Sequence, residues 1–302
     1  MQDNLFIENL KQSLWMRLFL FLIILLICSL IGVALSAMLV FAGDTGMRIA
    51  QGLSSIMMFV MPPIVYYFIT RKENQMQALG FRKPTLPRWL VFIGIALMFV
   101  SIPVTTTLTT WNESMTLGGA FSRIEEWMKD LEETAKVFTE DMLDVDTFGG
   151  MLLNFVIIAL IPAIGEEMTF RGVLQQSLTR KMNPHIAIIL SAAIFSFIHF
   201  QFYGFLPRMV LGMLLGFMFY ITNSLWTSML MHFANNGASV VIYYLGNKGI
   251  IEDVEHFGET HNIWIIVASA IITVALTVWS WKKAQPKQVP DPTNIFPNEE
   301  ND

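Results

Sequence analysis

The strongest constraint in this chain is a succession of apolar runs near or above twenty residues long. Each can cross a hydrocarbon core about 30 Å thick as a helix. Isolated strands would leave backbone groups unpaired in lipid, so every run is expected to be helical. Eight spans are read, at roughly 15–42, 49–70, 88–110, 149–177, 186–204, 206–223, 225–245 and 262–281. Only 14% of the 302 residues are charged, against roughly 25% in a soluble domain. The expected class is therefore an all-α polytopic membrane protein with about eight transmembrane helices. The single cysteine, Cys28, cannot close a disulfide within the chain, and it reads as a packed or lipid-buried residue. The first run exceeds the roughly 7–15 residues of a signal-peptide core, so it is expected to stay as a span.

Lys and Arg set the expected direction. With the N-terminus inside, the inner segments hold twelve of them. The outer segments hold six: Arg48, Arg123, Lys129, Lys136, Arg208 and Lys248. This bias puts both termini in the cytoplasm of a multi-pass, bacterial-type plasma-membrane protein. In the loop before the fourth span, Phe121, Ile124, Met128, Leu131, Ala135 and Phe138 recur at spacings of three and four, which predicts an amphipathic helix. Its other face is acidic, which argues against anionic lipid as its partner. The organisation expected is 1–147 for the first three spans and this loop, 148–245 for a four-span core, 246–284 for the last span, and 285–302 for a Pro-rich disordered tail.

Ionisable residues inside spans cost at least about 2.5–3.5 kcal/mol on insertion scales and mark function by default. Three groups qualify: Glu166, Glu167 and Arg171 in the fourth span, His199 in the fifth, and His232 with Asn236 in the seventh. At about 1.5 Å of rise per residue, Glu166, His199 and His232 fall at overlapping depths, roughly 10–20 Å from the cytoplasmic boundary. Glu167 and Arg171 are four apart and can pair on one helical face. Glu166 is rotated about 100° away, so it is expected to face a cavity. His232 and Asn236 share a face, as do Phe195 and His199.

A carboxylate in a water-poor cavity is suited to act as a general base toward water. An imidazole can share that proton, and a second imidazole and an amide can donate to a developing oxyanion. No Gly-x-Ser-x-Gly elbow is present, so water is the expected attacker and hydrolysis the expected reaction. Glu166, His199 and His232 also offer a three-ligand zinc set with an open position. The His-Glu-x-x-His spacing is absent, so the sequence does not specify a metal.

In order along the chain stand Glu166-Glu167-x-x-x-Arg171, Phe195-x-x-x-His199 and His232-x-x-x-Asn236. This set resembles the CAAX prenyl protease and bacteriocin-processing (CPBP or Abi) family of intramembrane proteases, over roughly residues 148–244. The resemblance implies an eight-helix fold and peptide-bond hydrolysis near the cytoplasmic side of the membrane. It implies that Glu166 and His199 activate water and that His232 and Asn236 stabilise the oxyanion. Glu167 and Arg171, with Phe195 as apolar wall, would support the site. Some relatives are described as metalloproteases and others as bacteriocin self-immunity proteins or scaffolds. A peptide or protein substrate in the bilayer, with or without a lipid, is expected, and a nucleic acid is not. A transporter using buried Glu and His as a proton relay, and a catalytically silent scaffold, are the alternatives. Oligomeric state and substrate identity are not legible in the sequence.

Overall fold

The computed structural model describes residues 13–284 apart from 40, 42, 72, 85 and 86, so the tail expected at 285–302 lies outside the described residues. The described residues fold into helices without a strand among them. In order these are α1 (Leu14–Ala37), α2 (Gly43–Thr70), a short α3 (Gln75–Leu79), α4 (Trp89–Val100), α5 (Ile102–Glu113) and α6 (Ser122–Leu143). They continue with α7 (Phe148–Thr179), α8 (Pro184–Phe197), α9 (Phe205–Thr222), α10 (Leu225–Asn247) and α11 (Ile263–Ala284).

Five of these helices, α1, α2, α7, α9 (measured from Phe202) and α11, are long and apolar enough to cross a membrane. The pair α4 and α5, bent by 42°, makes a sixth if it is one span. The other two expected spans, on α8 and α10, are not confirmed by length and composition. At 14 residues, α8 rises about 21 Å, short of the roughly 30 Å of hydrocarbon. Helix α10 has the length, but His232, Asn235 and Asn236 dilute its apolar character. The polar residues that mark the site thus lower the apolar character of α10. Several apolar helices still make this an integral, multi-pass membrane protein.

Between lipid-immersed helices there is little hydrophobic drive, so close packing and interhelical hydrogen bonds hold the bundle. Glycines mark the tightest approaches. A Cβ on Gly165 of α7 would lie 2.8 Å from Cβ of Phe59 on α2, and one on Gly94 of α4 would lie 2.5 Å from Sδ of Met231 on α10. One apolar cluster joins Phe21, Ile24 and Cys28 of α1 to Tyr66 and Tyr67 of α2 and Met168 of α7. Cys28 is a packed residue there. A second cluster joins Leu97 and Met98 of α4, Met218 of α9 and Met231 of α10.

Both α2 and α7 depart from ideal geometry at proline. Pro62 and Pro63 follow a π-helical turn at Ile56–Val60, and Pro162 follows one at Phe155–Leu160. Proline offers no N–H to the carbonyl four residues back. Two of these three carbonyls, those of Phe59 and Ile158, are satisfied from a neighbouring helix. Thr169 Oγ1 donates to the Phe59 carbonyl at 2.9 Å, and Asn236 Nδ2 donates to the Ile158 carbonyl at 3.3 Å.

Helix α6 spans the expected loop. Of the apolar face read there, Phe121 and Ile124 are exposed, while Met128, Leu131, Ala135 and Phe138 are half-buried. Arg48 of α2 ties its C-terminal end to the bundle. It donates to the carbonyls of Asp141, at 3.2 Å, and of Met142, and to Asn154 Oδ1 of α7 at 3.1 Å.

Candidate active site

The centre of α7 carries Glu166, Glu167 and Arg171, all buried. A second π-helical stretch, Met168–Gln175, begins just after the two acids and contains the arginine. Such segments are rare and recur at functional sites. Arg171 Nη1 donates to Glu167 Oε1 at 2.7 Å, the pairing expected from their spacing of four. Arg171 Nη2 donates to the Gly212 carbonyl of α9 at 2.8 Å, and one turn on Gln175 Nε2 donates to the Gly216 carbonyl at 2.8 Å. Gly212-x-x-x-Gly216 therefore does two things. It lets α9 approach Ala192 and Phe195 of α8, and it presents two carbonyls to α7. The guanidinium also lies 5.0 Å from the Phe195 ring centre, a cation–π arrangement.

Glu167 has a second partner that helical spacing could not reveal. His232 Nδ1, on α10, lies 3.0 Å from the same Oε1. A carboxylate beside a guanidinium accepts, so Nδ1 carries the hydrogen and Nε2 of the neutral ring is a bare acceptor. Nε2 lies 3.8 Å from Glu166 Oε2. His232 is thus held between the two adjacent acids, bonded to the first and facing the second.

His199 is not inside a helix as expected. Helix α8 stops at Phe197, and Phe200 adopts a left-handed backbone with φ of 55°, a common way to end a helix. The ring takes over a duty of the ended helix: its Nδ1 donates to the Phe195 carbonyl at 2.7 Å. Because a carbonyl only accepts, His199 also keeps Nε2 unprotonated in its neutral form. The Phe195 and His199 rings meet edge to face, with centres 4.9 Å apart.

These side chains line one cavity of about 500 Å³. Its walls include Glu166, Phe195, His199, His232, Asn235 and Asn236, with Gln51 of α2 and Phe138, Thr139 and Met142 of α6. Asn236 Oδ1 accepts from Asn235 Nδ2 at 3.2 Å, and Asn236 Nδ2 has one of its two hydrogens committed to Ile158. Glu167 and Arg171 do not line the cavity; they sit behind it. Arg208 does line it, although its sequence position reads as an outer-loop charge. It belongs to the first turn of α9. The only signal for it was its place four residues after Gly204, at the start of an apolar run.

Residues 148–238 match the family model described as type II CAAX prenyl endopeptidase Rce1-like. The matched segment holds α7, α8, α9 and the first half of α10, and with them Glu166, Glu167, Arg171, Phe195, His199, His232 and Asn236. The match agrees with the CPBP resemblance and implies a protease. No curated protein and no solved structure matches the chain.

Glu166, His199 and His232, the zinc set considered from the sequence, line the same cavity. Among the described residues no group of three or more His, Cys, Asp or Glu is placed to hold a metal ion. Glu166 and His232 approach each other, but no hydrogen bond or ion pair joins His199 to either. His199 is instead drawn toward the end of its own helix.

Proposed function

We propose that this chain is an intramembrane endopeptidase in which Glu166 activates water for attack on a peptide bond. What carries the reading is the shared cavity, with one carboxylate, two imidazoles with bare Nε2 atoms, and an amide converging inside an apolar bundle. Glu166 takes a proton from water as the hydroxide oxygen bonds to the scissile carbonyl carbon. His199 Nε2 accepts a hydrogen bond from that water and orients it. The carbonyl oxygen becomes an oxyanion, to which Asn236 Nδ2 donates its remaining hydrogen. His232 can donate from Nε2 only after it gains a proton, and Glu166 is the neighbouring source. The tetrahedral intermediate collapses as the C–N bond breaks and the proton Glu166 took from water passes, directly or through His232 Nε2, to the leaving amine, which returns Glu166 to its carboxylate form. Glu167 and Arg171 hold His232 and α9 in position. No step in this scheme passes through a metal ion.

The substrate class favoured by the matched family is a CAAX-type peptide in the membrane, carrying a prenylated cysteine near a C-terminus. The test compares peptide termini in membranes of cells carrying the wild-type chain or Glu166→Gln. New termini that require Glu166 support the reading, and identical sets refute it. Cleavage by purified protein in liposomes should survive a chelator, whereas loss restored by added zinc would overturn the metal-free scheme.

A further inference from the structure

Two arginines lie close to the cavity, and they are solved differently. Arg171 is fully buried and has a carboxylate at 2.7 Å. Arg208 lines the cavity, and its hydrogen-bond partners are uncharged: Nη1 donates to the Gln201 carbonyl at 3.2 Å and Nη2 to Gln201 Oε1 at 2.8 Å. Glu132 and Glu166 act on its charge through space. Among the described residues, neither they nor any other carboxylate comes within the 4.0 Å of an ion pair. Glu132 Oε2 is occupied by the Tyr203 N–H at 3.0 Å.

A guanidinium has five donor hydrogens in a planar fork that matches a carboxylate. Two are used on Gln201. Gly204 leaves room for the fork, since a Cβ there would come within 3.0 Å of Nη2. Apart from histidine, Arg208 is the sole basic residue among the residues lining the cavity. A charge held in a membrane-embedded cavity without a counter-ion is costly unless an anion arrives.

We propose that Arg208 is a substrate subsite that binds a carboxylate of the peptide beside the scissile bond. The ligand chemistry is a single carboxylate, from either a free C-terminus or an acidic side chain. The inference rests on the peptidase reading. It also makes Gln201 a positioning residue that aims the fork, and Gly204 the gap that admits it.

The experiment uses four synthetic membrane-anchored peptides of one sequence. They end in a free carboxylate or an amide, and carry Glu or Gln at one site near the terminus. Wild-type protein in liposomes should prefer the carboxylate form by roughly 10- to 100-fold in KM, as expected for charge-assisted hydrogen bonds. Arg208→Gln should erase that preference in KM, and Arg208→Lys should keep part of it. The terminus and side-chain arms say which carboxylate is read. Equal KM values for all four peptides on wild-type protein would overturn the proposal without any variant. So would an Arg208→Gln variant that lowers kcat equally on all peptides, which is the signature of a clasp for the 198–204 loop. Direct binding of the same peptides to Glu166→Gln protein separates this proposal from catalysis. A carboxylate preference in binding, lost in the Glu166→Gln/Arg208→Gln double variant, sustains the subsite even if no peptide is cleaved.

Discussion

Two ion pairs in this molecule share spacing, chemistry and length, yet they mean different things. On α7, Glu167 and Arg171 stand four residues apart with 2.7 Å between their charged atoms. On α6, Glu125 and Lys129 stand four apart with 2.8 Å between theirs. Side-chain exposure is at most 1% in the first pair and reaches 57% at Lys129 in the second. Water screens the α6 pair, so it contributes little to stability. The α7 pair has no water to fall back on, so each charge depends on the other. Distance reports that a pair exists, whereas burial decides what it is worth.

The largest effect on the buried side should come from the acid next to the pair. Glu166→Gln removes the proposed base while keeping shape, and general-base catalysis is worth roughly 10²- to 10⁴-fold. Cleavage should fall by that factor with the melting temperature in detergent nearly unchanged. Glu167→Gln should behave in the opposite way. It strands Arg171 and releases Nδ1 of His232, and breaking a buried pair costs about 3–5 kcal/mol. A variant carrying both Glu167→Leu and Arg171→Met should recover most of that loss in denaturant titration, because apolar replacements need no partner. If Glu167→Gln melts like wild type, the contrast between the two pairs collapses.

That contrast also sorts what the sequence could say. The Glu167–Arg171 pair was legible because it lies within one helix, where spacing alone sets proximity. The contact of His232 with Glu167 was not, because it depends on how α10 rotates against α7. Depth arguments brought His199 to the right level but left it inside a helix. The left-handed Phe200 that ends α8 has no marker in a residue type that usually avoids that conformation. Arg208 was hidden by the same limit: a charge at a helix start and a charge in a loop look alike in one dimension. Two of the eight expected spans stay unconfirmed by length and composition where the site itself intrudes, on α10 and on the short α8.

Smaller effects should follow at the glycines. Gly216→Ala puts a Cβ 2.5 Å from Gln175 Oε1 and 3.3 Å from Ile188 Cγ2. The amide could swing away only by giving up its 2.8 Å bond to the Gly216 carbonyl. Overpacking of this kind costs about 1–3 kcal/mol. Gly149→Ala in the first turn of α7 meets nothing within 4 Å and should be neutral or stabilising by up to about 1 kcal/mol. Thermal melts of the two alanine variants check the buried and open positions against each other.

The smallest effect is on the exposed pair, and it is one of pH rather than of overall stability. The Lys129 ammonium, with the amides of Gly118 and Leu117, holds the Glu125 carboxyl down at about 2 from an ordinary 4.5. A depressed carboxyl contributes its stability above the unfolded value and loses it as pH falls through the folded value. The start of α6 should therefore stay ordered above pH 4.5 and loosen progressively from there toward pH 2. The amides of Leu117 and Gly118, which donate to Glu125 Oε2 at 2.9 and 3.1 Å, are the reporters. Their hydrogen exchange, corrected for intrinsic pH dependence, should quicken across that window. In Lys129→Met the loss should still begin near pH 4.5 but should be smaller and complete at a higher pH than in the wild type, since the first cause of the depression is gone, while the melting temperature at neutral pH should not move. Quickening that starts above pH 5 in the wild type would show that the α6 pair does not hold its carboxylate. The two pairs would then differ in geometry and not merely in exposure to water.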